Sequence, residues 1–130
     1  MTRQHHATGT PWEDRYGYSR AVRLGDVVAV SGTTAVDEDG RTVGADAYTQ
    51  ARYAFEKAAR ALRALGATEA DAVRTRMYVA DIARNHDAVG RAHAEVFGAA
   101  RPAATMVEVS GLIAPDLLVE IEVDAMVRGS

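Results

Sequence analysis

The stretch RPAATMVEVSGLIAPDLLVEIEVDAMV, Arg101 to Val127, holds two strand-like runs separated by a loop that contains Pro115. In the second run Val119, Ile121, Val123, Ala125 and Val127 alternate with Glu120, Glu122, Asp124 and Met126. A period of two sends the branched apolar residues to one sheet face and the three acids to the other. Three like charges along one strand are costly unless water, a ligand or a partner lies against them, so this face needs an explanation.

Working outward, Ala21–Arg23 and the β-branched run Val27–Val30 flank a turn at Leu24-Gly25-Asp26 and predict a hairpin, with Ser31-Gly32 at a strand end. Asp46 is placed to cap a helix reaching about Leu65, stopped by Gly66, with Ala47, Ala51, Ala54, Phe55, Ala58, Leu62 and Leu65 on one stripe. Val73, Thr75, Met77 and Val79 alternate with Arg74, Arg76 and Tyr78 in a further strand. Asn85 is the expected cap of a second helix ending at Phe97, with Val89, Ala92, Val96 and Phe97 inward, and Pro102 opens the next strand. The predicted order is β-β-α-β-α-β-β, an α+β mixed sheet with two helices packed on one face. The other face, expected to carry Met77 and Leu118 beside charges, is left for self-association.

The chain has 130 residues, 48% of them hydrophobic, which fits one domain, read as residues 16–128 behind a polar leader at 1–15 in which His5 and His6 have no role. It contains no cysteine, which excludes a disulfide framework, a thiolate metal site and a cysteine nucleophile, and reads as cytoplasmic. No run approaches the ~20 apolar residues of a membrane span. A net charge of -3, with no cluster of cations and aromatics, argues against nucleic acid as a partner. His86 and His93 lie seven apart, ~10 Å along a helix, too far to share a metal ion, so no metal is expected.

Taken as strings, YSRAVRLGDVVAVSG (Tyr18 to Gly32), ALGATEADAVRTRMYVADI (Ala64 to Ile82), EVFG (Glu95 to Gly98), RPAATMVEV (Arg101 to Val109) and VEIEVDA (Val119 to Ala125) resemble the Rid family, also called YjgF or L-PSP-like proteins. The resemblance runs from Tyr18 to Val127 and implies a chorismate-mutase-like fold and a homotrimer with small-molecule clefts between subunits. It further implies hydrolysis of an imine or enamine to a carbonyl compound and ammonia, without cofactor, as in the best-known members. Position by position, Tyr18 matches the family's cleft tyrosine, Ser31 its serine after the second strand, and Glu120 the glutamate credited with handling the attacking water. Hydrolysis of C=N requires a positioned water, a proton acceptor and a donor to the departing nitrogen, roles that a carboxylate and a phenol can fill.

The chain departs from the pattern at Ala104, where deaminating members carry an arginine that pairs with the substrate carboxylate, and at Gly90, where an asparagine is usual. Either another arginine enters the cleft, with Arg76 and Arg101 as candidates, or the substrate has no α-carboxylate. The alternatives to an imine hydrolase are a non-catalytic trimeric binder using the same cleft and a tailoring enzyme acting on a larger ring in the space vacated at Ala104. Ordinary structural roles compete throughout: a solvated carboxylate for Glu120 and Glu122, a packing aromatic for Tyr18, a satisfied strand end for Ser31, an ion pair for Arg76 and a helix-end cation for Arg101.

Overall fold

A computed structural model describes residues 1–128. Six strands form one mixed sheet in the order β1-β2-β3-β6-β4-β5. They are β1 (Arg3–His6), β2 (Ala21–Leu24), β3 (Val27–Thr34), β4 (Ala72–Val79), β5 (Ala103–Glu108) and β6 (Val119–Met126). Three helices join them: the short α1 (Pro11–Tyr16), then α2 (Ala47–Ala64) and α3 (Ile82–Phe97). Among the described residues only β4 and β5 pair in parallel, because α3 carries the chain back across the sheet between them.

The alternation in β6 sorts its residues as expected: Val119, Ile121, Val123 and Ala125 are fully buried on the helix side. Against them α2 sets Ala51, Ala54, Phe55, Ala58 and Leu62, all without exposure, and α3 adds Val89, Ala92 and Phe97. The alanines let α2 lie close to the sheet, while Phe55 meets Phe97 edge to face at 5.6 Å and fills the space between the helices. Asp46 caps α2 by accepting from the Thr49 amide at 2.8 Å, and Gly66 ends it at φ 85°, where a Cβ would be strained.

Four expectations are corrected. The polar leader is ordered: β1 pairs antiparallel with β2, His5 opposite Val22, and α1 follows with Pro11 in its first turn. Backbone pairing at a sheet edge asks little of the side chains, so polar residues there leave no apolar rhythm to read. Second, α3 starts at Ile82, and Asn85 lies inside it, its amide donating to the Ala80 carbonyl at 2.7 Å. Asp81, at φ 50°, makes the turn into that helix. Third, Met77 faces the helices and is 4% exposed, since its register partner is Ile121. Fourth, Leu118 packs against the same core just before β6.

Among the described residues no helix covers the opposite face. Its rows are Val22 and Leu24 on β2, Val27 and Ala29 on β3, the acids of β6, Arg74, Arg76 and Tyr78 on β4, and Thr105 and Val107 on β5. Leu24, Val27, Val107 and Met126 are each at least 40% exposed there, an apolar content unusual for a bare sheet surface.

Candidate functional site

The site is built at the end of the sheet where β2 begins, β3 ends and β6 begins. The register between β3 and β6 slips between Val30 and Thr33, so Ser31 and Gly32 bulge out of the ladder. Glu120 lies in register with Thr34 on one side and Tyr78 on the other, and its carboxylate folds over Gly32. A Cβ at Gly32 would collide with Oε2 of Glu120, so the bulge glycine makes the seat for the acid.

Burial holds the Glu120 carboxyl above its ordinary value; the nearby charge of Arg20 opposes that shift and Glu122 reinforces it. Arg20 precedes β2 and sends Nη2 to the carbonyl of Gly32 at 2.5 Å, while its guanidinium lies 5.8 Å from the centre of the Tyr18 ring. Tyr18 is 40% exposed, with its ring available to a ligand. The Ser31 hydroxyl donates to the Ser19 carbonyl at 2.5 Å and the Ser31 amide donates to the Arg20 carbonyl at 3.0 Å, which ties the bulge to the strand start that carries Tyr18. Thus Tyr18, Ser31 and Glu120 come together in one chain, and their neighbours Arg20 and Gly32 complete the wall.

The neighbourhood is held from the N-terminal side by Glu13, the buried acid of α1. It accepts from the Thr8 amide at 3.1 Å, the Thr8 hydroxyl at 2.6 Å and the Thr10 hydroxyl at 3.0 Å. Burial alone would raise its pKa, but those hydrogen bonds and the charge of Arg20 together hold it below the ordinary value.

The remaining candidates lie elsewhere. Arg76 sits two residues along β4 from Tyr78, opposite Glu122, and is engaged by Asp124 at 3.1 Å and Glu122 at 3.8 Å. Tyr78 donates to Glu122 at 2.8 Å, so two of the three acids on this face are answered within the chain. Arg101, at φ 51°, precedes the start of β5, whose Ala103 is opposite Arg74. It therefore stands at the far end of the sheet from Glu120. Ala104 is opposite Thr75, whose buried hydroxyl bonds His93 at 2.7 Å on the helix side. In a single chain Ala104 and Glu120 are thus on opposite faces of the sheet.

Sequence reasoning missed Arg20 and the cradle at Gly32. The dipeptide Ser31-Gly32 after a β-branched run was a visible signal for a bulge, but the pairing of that bulge with Glu120 spans 88 residues and has no local signature. Among the described residues no three His, Asp or Glu side chains converge as a metal-binding group, and no helix is long and apolar enough to cross a membrane.

The family model described as endoribonuclease L-PSP matches residues 12–127. The chain belongs to the L-PSP family, also known as YjgF or Rid. An uncharacterized protein of Streptomyces coelicolor is 42% identical over 118 residues, 91% of this chain and 87% of that one. A RutC family protein of Pyrococcus abyssi is 32% identical over 106 residues, 81% of this chain and 82% of that one. Among solved structures, a Mycobacterium tuberculosis member of the YjgF/YER057c/UK114 family superposes with a TM-score of 0.88 at 49% identity, covering 97% of this chain and all of the other. The Rid-family resemblance of the separate strings is therefore carried by the whole α+β fold, including the strand order that brings Glu120 to Gly32.

Proposed function

We propose that this Rid-family protein is a homotrimeric hydrolase of small imines or enamines, acting in the cytoplasm at clefts where two subunits meet. The observation that carries the reading is the seating of Glu120 over Gly32, beside Tyr18 and Ser31. Burial raises the pKa of this carboxyl above that of an exposed glutamate, which makes it a stronger base that can accept a proton and return it. Glu120 takes a proton from water as the oxygen adds to the C=N carbon and returns it to the nitrogen, giving the neutral carbinolamine; it then takes the hydroxyl proton and passes it to the same nitrogen, so the C–N bond breaks and ammonia leaves as the C=O bond forms. The products are the carbonyl compound and ammonia, and the step is redox-neutral, so acid-base groups suffice.

The trimer is supported by one feature of the chain. The exposed apolar rows of the sheet face call for cover, and among the described residues no helix supplies it. The lack of cysteine is in keeping with a cytoplasmic setting.

The test is ammonia release from imines generated in situ by an amino-acid oxidase. Purified protein accelerates it and Glu120→Gln removes the acceleration; no acceleration with any imine supplied overturns the proposal. A non-catalytic binder is the second reading, favoured by the bare methyl of Ala104 at the position of the family's arginine. Ligands that stabilise the protein in thermal-shift assays without being converted would establish it.

A further inference from the structure

We propose that Arg20 is the anion anchor of this site, taking the substrate carboxylate in place of the arginine that Ala104 replaces, which rests on the hydrolase reading above. Of the two arginines weighed for the role, Arg76 is occupied by Asp124 and Glu122, and Arg101 stands at the other end of the sheet from the Glu120 of its own chain. Arg20 stands beside Tyr18, Gly32 and Glu120, and no acid within ion-pair distance engages it among the described residues.

Its environment is that of a held but unsatisfied donor. Arg20 is nine-tenths buried, at 9% exposure, with Nη2 fixed on the Gly32 carbonyl and its Nε enclosed without a hydrogen-bond partner. A buried guanidinium nitrogen left unpaired is costly, and an accepting oxygen brought to it recovers that cost. A carboxylate is the acceptor whose geometry suits the guanidinium edge. The Tyr18 ring, 5.8 Å from the guanidinium and 40% exposed, is the solvent-facing neighbour past which a ligand would approach Nε.

The electrostatics suit a carboxylate ligand only if a cation stands beside it. A 2-imino acid brings a second carboxylate against Glu120, which already lies beside Glu122. Without a neighbouring positive charge the two would repel; Arg20 offsets both. The anchor has moved from the strand position of Ala104 to the start of β2, on the same chain as the acid.

The experiment is calorimetric titration of the full-length protein with pyruvate and with its neutral analogue pyruvamide, which needs no turnover. Wild-type protein is expected to bind pyruvate at least tenfold more tightly than pyruvamide. Arg20→Gln should lose about ten- to a hundredfold in pyruvate affinity and leave pyruvamide unchanged. Arg20→Lys, which keeps the charge and the fold, should fall between them, and Arg76→Gln should match the wild type. A preference for pyruvate that survives Arg20→Lys and Arg20→Gln, that disappears instead with Arg76→Gln, or that is absent from the wild type overturns the anchor. If pyruvate binds through Arg20 while no imine is hydrolysed, the anchor stands and the catalytic reading falls.

Discussion

Glu120 and Gly32 are 88 positions apart in the chain, yet the carboxylate of one occupies the space a side chain would fill on the other. The bulge in β3 opens that space and the register of β6 delivers the acid to it. Gly32 is outside the left-handed region, so its need for glycine comes from contact and not from backbone strain.

Gly32→Ala should therefore displace Glu120 without unfolding the chain, because the colliding atom is the free end of a flexible side chain. The expected result is at least a tenfold loss of kcat for imine hydrolysis with a melting temperature close to that of the wild type. A fully active Gly32→Ala protein would remove Glu120 from the mechanism.

The pH dependence follows from the burial of Glu120. Its folded-state pKa is raised above the ordinary 4.5, so the ionised base is lost at higher pH than for an exposed glutamate. The acid limb of kcat/KM is expected to fall at a midpoint above 4.5. Gly32→Ala, by moving the carboxylate towards solvent, should shift that midpoint down. Initial rates from pH 4 to 8 read both effects.

Glu13 behaves in the opposite sense. Its pKa is depressed in the folded chain, so its contribution to stability is complete above the unfolded value of 4.5 and is lost as pH falls through the lower folded value. Trp12, stacked on Tyr16 at 5.7 Å in the same short helix, reports the loss. Its fluorescence should change in acid before the core unfolds, and at neutral pH in Glu13→Ala.

Phe55 is fully buried between α2 and α3 against Phe97 and His93. Phe55→Ala leaves a cavity that neighbouring alanines cannot fill and should cost about 3–5 kcal/mol. Denaturant unfolding should show a lower midpoint with an unchanged slope.

Assembly is tested at Val107, which is 42% exposed on the uncovered face in register with Tyr78. Sedimentation should give three times the 13.9 kDa chain mass for the wild type. Val107→Asp, placing a charge in the proposed interface, should move the distribution towards single chains and lower hydrolysis in parallel.

Local pattern made much of this molecule legible. The alternation in Val119–Val127 assigned both faces of the central strand, and the stripe from Ala47 to Leu65 with Asp46 and Gly66 at its ends marked the longest helix almost to the residue. What escaped was set by partners distant in the chain. Arg3–His6 forms a strand only because β2 offers an open edge, and Met77 is core because Ile121 lies beside it.

The same division holds at the site. The chain's own strings named the family and singled out Tyr18, Ser31 and Glu120, since spacing along strands and motif order are one-dimensional properties. That Arg20 faces the acid while Arg76 is spent on Asp124 and Glu122 was decided by register and by the bulge at Ser31-Gly32. Those are set by which backbones hydrogen-bond across the sheet, and one residue of slip would have sent each of these side chains to the other face.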